Sequence, residues 1–317
     1  MKYQLFSYSL DGFGRQIGIS IGSGLYSLKS CAVACDTAVV GDQTFDQIIA
    51  GWSTFGPKLT EMVDDLYRGK AEQIKPLDAS TVSFLPLFDT PGIIYGAGAN
   101  YKDHVEAMAK AFNMNLETNP KAAGVKPWHF QKAGRSTLAA HGQSVTYPAH
   151  TEKLDYEAEL AVLIGRTARF VDVDSALQYV AGYTCANDLS ARDNLRRENV
   201  DPSSPFRFDW IGHKSFPGSC PLGAFFTPAE FIATPEDLDI KCWVNDELRQ
   251  DSNTSNHLYS VADQIAYLSE RVELYPGDII LTGTPAGVGM ESGTFLKRGD
   301  TVRVWIESIG ELQNTIM

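Results

Sequence analysis

The sequence predicts an α+β fold in which β-structure predominates, with a small N-terminal α/β module ahead of a larger domain. Three observations lead there. At 317 residues the chain is longer than one compact domain usually runs, so a large domain with a smaller companion is expected. Most apolar segments are short runs broken by glycine, proline or polar turns, the pattern of strands joined by irregular loops. The regular strand and helix alternation of a doubly wound sheet is missing.

Taken in chain order, residues 1–40 carry YQLFSYSL, QIGISIG and GLYSLKSCAVAC, each read as strand. Two helices are expected next. The first is FDQIIAGW after Thr44; the second is KLTEMVDDLYRG, where Leu59, Met62, Val63 and Leu66 recur at helical spacing until Gly69 stops it. The proline-containing run KPLDASTVSFLPLFDTPG places a boundary at residues 80–90, dividing the chain into 1–85 and 86–317. In the second part, residues 106–127, EAMAKAFNMNLETNPKAAGVKP, read as a short helix and a mobile loop able to act as a lid. EAELAVLIG, DIKCWVND, GDIILTG and DTVRVWIE read as its strands.

Composition narrows the function. A formal charge of −12 argues against nucleic acid, whose phosphates need clustered lysine and arginine. No segment approaches the roughly 20 apolar residues of a membrane span, and the start, MKYQLFSYSLDGFGRQ, lacks a signal-peptide cleavage pattern. The five cysteines form no CxxC pair, which suits reduced thiols and a cytoplasmic location.

The most informative run is LDYEAELAVLIG, residues 154–165. On a strand, Asp155, Glu157 and Glu159 share one face and Tyr156, Ala158, Leu160, Val162 and Ile164 the other. The plain alternative is a polar strand edge. That face continues with Ala161 and Leu163, however, and close carboxylates entering an apolar region repel unless protonated or neutralised by a cation. A hard divalent metal is one solution. Asp188, in GYTCANDLSARD, offers a third carboxylate, although by spacing alone it reads equally well as a helix cap.

With these residues assembled, the sequence resembles the fumarylacetoacetate hydrolase family over about residues 91–310. The motifs, in order, are YGAGANYKDH, FQKAGRSTL, LDYEAELAVLIG, GYTCANDLSARD, HKSFPGSCPLG, VNDELRQDSNT and PGDIILTGTPAGVG. The resemblance implies a mixed β-sandwich roll behind a small N-terminal domain and a homodimer. It also implies a site for Mg²⁺ or Mn²⁺, with Ca²⁺ an alternative, formed by Glu157, Glu159 and Asp188. The implied substrates are small oxo acids of the acylpyruvate or β-diketo type.

Further roles follow from motif position. His104 matches the histidine that activates water in hydrolytic members. Many relatives carry a glutamate three residues later, where this chain has Ala107, so Glu106 is the candidate substitute although it points about 100° away on a helix. Lys132 and Lys214 occupy the family's lysine positions, and are expected to balance charge, position water or bind substrate oxygen. Arg192 is a candidate for the substrate carboxylate, with pairing to Asp193 or another local acid as its structural alternative. Tyr101 either donates a hydrogen bond near the metal or packs beneath the lid. Thr284, in the turn GTPAGVG, is expected near the substrate. Ala133, Gly134, Arg135 and Leu195 depart from the family pattern and bear on specificity.

GAGAN and GTPAGVG lack the full fingerprints of dinucleotide and phosphate loops, so nucleotide binding is rejected. The histidines at 129, 141, 150, 213 and 257 have no metal-ligand spacing. The leading expectation is metal-dependent hydrolysis of a carbon–carbon bond in a small oxo acid. The alternatives are decarboxylation or tautomerisation on the same site, and a non-catalytic binding protein of the same fold.

Overall fold

The computed structural model describes residues 2–10, 12–70, 74–113 and 117–317. The N-terminal part comprises β1 (Tyr3–Leu10), β2 (Phe13–Ile21), β3 (Gly24–Ser27), helices α1 (Leu28–Ala34), α2 (Ala38–Gly41), α3 (Phe45–Ala50) and α4 (Trp52–Asp65), and β4 (Val82–Phe84). The chain continues through β5 (Ile94–Ala97), α5 (Lys102–Phe112), β6 (His129–Lys132), α6 (Gly134–Thr137), β7 (Leu138–Ala139), β8 (Leu154–Asp155), β9 (Ala158–Ile164), β10 (Val180–Asn187), β11 (Ser190–Ala191) and α7 (Trp210–Lys214). It closes with β12 (Cys220–Pro221), β13 (Thr227–Pro228), β14 (Asp239–Val244), β15 (Glu247–Asn253), α8 (Val261–Arg271), β16 (Ile279–Leu281), α9 (Gly289–Ser292), β17 (Thr301–Ile306) and β18 (Gly310–Thr315).

Local chemistry accounts for the N-terminal elements. The run GLYSLKSCAVAC, expected as strand, is strand only to Ser27 and then turns into α1. The Ser27 side chain accepts from Ser30 N, and Leu28, Cys31 and Ala32 supply a buried face at helical spacing. A capping box between Thr44 and Gln47 starts α3. Helix α4 begins at Trp52, ahead of the expected Lys58, and carries Pro57 inside it; Trp52 packs edge-on against Phe226, just ahead of β13. Gly69, at φ 123°, ends the helical path as expected.

The sheet β3-β2-β1-β4 is antiparallel, so residues 82–84 belong to it. Leu5 and Phe226 exchange backbone hydrogen bonds of 3.0 and 2.8 Å, which stitch this sheet to the chain ahead of β13.

The six-stranded sheet β13-β10-β9-β16-β5-β6 lies at the centre. Every residue of β9 is buried, because both faces are covered. Ala161 and Leu163 pack with Leu5, Phe45, Leu59 and Met62 of the N-terminal part. Leu160, Val162 and Ile164 pack with Ile240, Val304 and Leu312 of the four-stranded sheet β15-β14-β17-β18. Each such buried aliphatic side chain contributes about 1.5–3 kcal/mol, so both flanking layers fix the central strand.

The stretch expected as helix and mobile loop forms α5, starting at Lys102 rather than Glu106. Residues 114–116 lie outside the described residues. Beyond them the chain is tied down, by Lys121 to Asp263 at 2.7 Å and by Tyr259 Oη donating to Val125 O at 2.6 Å.

Candidate metal centre and proton-transfer pair

The run expected as one strand is two. β8 pairs with β11, Tyr156 and Glu157 lie between, and β9 begins at Ala158. The Glu157 N–H donates to Asn187 Oδ1 and the Ala158 N–H to Gln250 Oε1, both at 3.0 Å, so the break leaves neither donor unpaired. It also separates the three acids expected on one face. Asp155 accepts from the N–H groups of Gly289 (2.7 Å) and Met290 (3.0 Å) and from Arg192 Nε (2.8 Å), which makes it an anchor for the 289–290 turn.

Glu157 and Glu159 converge instead with Asp188, which follows the last residue of β10 and is held by its N–H to Glu157 O at 2.9 Å. No helix starts there, so Asp188 is not a cap. Their ligand oxygens lie within 4.8 Å of one another. Glu157, Glu159 and Asp188 are 6%, 1% and 0% exposed.

Three cations surround this cluster unevenly. Lys132 Nζ lies 2.5 Å from Asp188 Oδ1, and Lys214 Nζ lies 2.5 Å from Asp188 Oδ2 and 2.7 Å from Glu157 Oε2. Both ammonium groups are therefore spent on the carboxylates. Arg192, expected to take a substrate carboxylate, is also engaged. Its Nε is bonded to Asp155, and its Nη2 lies 2.5 Å from Glu157 Oε1 as an ion pair without hydrogen-bond alignment. Asp193 is not its partner, since it accepts from Thr151 Oγ1 and Glu152 N.

The consequence is an asymmetry. Burial alone would raise the Glu157 carboxyl, but Arg192 and Lys214 outweigh it and hold the group below the usual carboxylate range. Burial also lowers Lys214, but Asp188 and Glu157 reverse that and push the ammonium up. Glu159 is raised well above the ordinary range by burial and by the charges of Asp188 and Glu157. It accepts the Gly283 N–H at 2.6 Å, and among the described residues no lysine or arginine reaches it. An ionised Glu159 thus needs positive charge from outside the chain, and three convergent hard oxygens suit a divalent cation.

The loop from Gly283 to Met290 ties this cluster to the rest of the site. Gly283 is bonded to Glu159 as above, and Thr284 Oγ1 accepts from Gln250 Nε2 at 2.8 Å. Gln250 Nε2 also donates to Pro285 O at 2.8 Å, so one buried amide joins the start of β9 to the loop. The Ala286 N–H approaches Asp103 Oδ1 at 3.4 Å, and Asp103 accepts from Ser252 Oγ at 2.6 Å. Gly287 sits at φ 104°, and a Cβ there would lie 1.9 Å from Arg249 O, so only glycine fits.

His104 occupies the first turn of α5, and its Nδ1 lies 2.6 Å from Glu291 Oε1 on α9. Glu291 Oε2 accepts the Gly287 N–H at 2.7 Å. A carboxylate only accepts, so Nδ1 carries the proton, and in the neutral imidazole Nε2 is the nitrogen with the lone pair. Glu106, the expected partner, is exposed on α5; the orienting acid is Glu291, 187 residues away in sequence.

Tyr101 is fully buried, packed edge-on against His257 with ring centroids 4.5 Å apart, and its hydroxyl has no partner among the described residues. Burial and the charges of Glu159 and Asp103 push the phenol well up, so the hydroxyl keeps its proton and can donate. Of the two expectations for Tyr101 the structure displays packing, against His257, and its hydroxyl donates to none of the described residues.

Glu291 and Gln250 were not singled out in the sequence. Glu291 is an isolated acid two residues beyond a glycine turn, and Gln250 lies in a strand whose polar alternation looks solvent-facing.

Residues 93–317 match the family described as fumarylacetoacetate (FAA) hydrolase, C-terminal. The chain is 35% identical to oxaloacetate tautomerase Fahd2a, mitochondrial, of Rattus norvegicus over 84% of this chain and 82% of that protein. It is 37% identical to oxaloacetate tautomerase FAHD2B, mitochondrial, of Homo sapiens over 79% and 74%. Among solved structures, fumarylacetoacetate hydrolase from Exiguobacterium antarcticum superposes with a TM-score of 0.76 at 29% identity, covering 99% of each chain. Maleylpyruvate hydrolase from Sphingobium sp. SYK-6, in complex with manganese(II) ion and pyruvate, gives 0.72 at 27%, covering 99% and 98%.

Proposed function

The chain belongs to the fumarylacetoacetate hydrolase family, and from that premise we propose that it is a divalent-metal-dependent enzyme interconverting the keto and enol forms of a small 2-oxo acid. Oxaloacetate is the substrate to try first, given the names of its relatives. The observation that carries this reading is the His104–Glu291 pair, joined through one loop to a buried carboxylate triad that lacks a full set of cations.

Glu157, Glu159 and Asp188 would hold Mg²⁺ or Mn²⁺, and their hard oxygens accept Ca²⁺ as well. A bound cation supplies positive charge beside the keto oxygen, where negative charge develops as the neighbouring carbon loses its proton. His104 Nε2 takes that proton from C3, and the C–H electron pair moves into the new C=C bond while the C=O bond opens to oxygen. Returning the proton to oxygen gives the enol, and the reverse sequence gives the ketone. Glu291 stabilises the imidazolium between the two transfers. Lys132 and Lys214 hold Glu157 and Asp188 in place, and the Thr284 hydroxyl, which accepts from Gln250, keeps its own proton to orient the oxo acid.

A second reading, hydrolysis of an acylpyruvate, is favoured by the same pair, because an imidazole backed by a carboxylate also activates water. Decarboxylation would share the enolate. Decay of the oxaloacetate enol absorbance in the presence of Mn²⁺ separates these, with pyruvate formation from acylpyruvates and CO₂ release followed in parallel. Tautomerisation predicts accelerated enol–keto exchange that disappears in Glu157→Gln. No acceleration by Mn²⁺-loaded protein rejects it, and turnover of any of these substrates removes the reading of a silent binding protein. The five free, buried cysteines are in keeping with a reducing location such as the cytoplasm, whereas the mammalian relatives are named mitochondrial.

A further inference from the structure

Beside the two buried lysines stands an aromatic wall of Phe130, Trp210 and Trp128. Trp128, Phe130 and Lys132 have the same parity on the β6 segment, so their side chains leave from one face. Exposure along that face rises outward, from 3% at Lys132 through 9% at Phe130 to 49% at Trp128. Helix α7 repeats the arrangement at helical spacing, with Lys214 inside and Trp210 one turn away on the same side.

The two elements meet ring to ring. Phe130 and Trp210 stack with centroids 5.8 Å apart and an interplanar angle of 16°, Trp128 and Trp210 lie 5.0 Å apart, and Lys214 Nζ sits 4.7 Å from the Phe130 centroid. The strand beneath is cleared for them. A Cβ on Gly96 would lie 2.3 Å from the Phe130 ring, and one on Gly98 would lie 1.9 Å from the Trp128 ring. That same segment runs on through Tyr101 into the helix that carries His104, and the wall touches the triad through Lys214, which is bonded to Glu157 and Asp188.

We propose that this wall seats an apolar substituent on C3 of the substrate, and that the enzyme takes, beyond oxaloacetate, 2-oxo acids carrying a flat apolar or aromatic group at that carbon. The inference rests on the reading of the site as one for a 2-oxo acid. The carboxylate and keto end belongs to the triad, so the remainder of the molecule extends past Lys214 toward solvent. What it meets there is Phe130, Trp210 and Trp128, whose faces attract an aromatic edge or face. An aromatic contact of this kind corresponds to about a tenfold gain in affinity.

The test is calorimetric titration of the Mn²⁺-loaded protein with pyruvate and with phenylpyruvate, which differ only by the phenyl group on C3. Phenylpyruvate is expected to bind about tenfold more tightly, with Trp128→Ala bringing the ratio of the two affinities toward one and Trp128→Phe retaining most of it. Equal affinities in the wild type, or a ratio untouched by Trp128→Ala, overturn the proposal. If neither oxo acid binds, the wall and the reading of the site fall together. If both bind and no enolisation is seen, only the assigned reaction falls, and the ratio still decides the subsite.

Discussion

Replacing Glu291 by glutamine isolates the contribution of the orienting carboxylate to the proton-transfer pair. The substituted side chain keeps an oxygen for the Gly287 N–H, so the loop retains its anchor, while His104 Nδ1 loses an anionic acceptor that now sits 2.6 Å away. Both side chains are mostly buried, 13% and 12% exposed, so solvent screens the pair weakly. A hydrogen bond to a charged group in such a setting is worth about 1.5–3 kcal/mol. If the imidazolium forms during the reaction, kcat falls by roughly 10- to 150-fold. The assay is enol–keto exchange of oxaloacetate with saturating Mn²⁺, alongside calorimetric Mn²⁺ affinity, which stays unchanged because Glu291 is outside the triad. Glu106→Gln serves as the comparison and keeps kcat within about twofold, as expected for an exposed surface change. Wild-type kcat in Glu291→Gln, or a large loss in Glu106→Gln, refutes the assignment of Glu291 as the partner of His104.

Three other outcomes follow from the same geometry. Glu159→Gln removes a buried carboxyl that is costly to ionise, so without metal its Tm rises by at least about 2 °C; the Mn²⁺-induced stabilisation expected of the wild type is lost, and a lower apo Tm would contradict this. Gln250→Leu leaves the Ala158 N–H and the Pro285 carbonyl unpaired in the interior, costing about 2–5 kcal/mol in urea unfolding, and a loss below about 0.5 kcal/mol would show that the amide is dispensable. Burial pushes the His257 imidazole down to about 3, so from pH 6.5 toward 3 the unfolded chain takes up a proton that the folded one does not. Stability therefore falls as pH drops through that window, by about 1.4 kcal/mol per unit once the unfolded histidine is charged. His257→Phe should reduce the slope of unfolding free energy against pH by one proton between pH 6 and 4, and an unchanged slope would reject it.

Much of the fold was legible because its signals are local. Thr44 and Gln47 make the capping box that begins α3, and Gly69 ends the helical run that Leu59, Met62 and Val63 define. The alternation of Leu160, Val162 and Ile164 against Ala161 and Leu163 follows from the twofold repeat of a strand, and the core divides along it. The same local rule misled at GLYSLKSCAVAC, where the short apolar run fits strand and helix alike and the cap at Ser27 decides for helix.

The site divides in the same way. By itself the sequence singled out the acids: Glu157 and Glu159 two residues apart in a run that enters the core, with Asp188 as a third in an ordered set of family motifs. Only the tertiary structure decided which groups those acids meet. It sent Asp155 to the 289–290 turn, spent Arg192 on Asp155 and Glu157, and gave His104 the distant Glu291 in place of the adjacent Glu106. Strand periodicity extends over a few residues, whereas a hydrogen bond requires two atoms within about 3 Å, and the residue that meets that requirement for His104, Glu291 on α9, lies 187 residues along the chain.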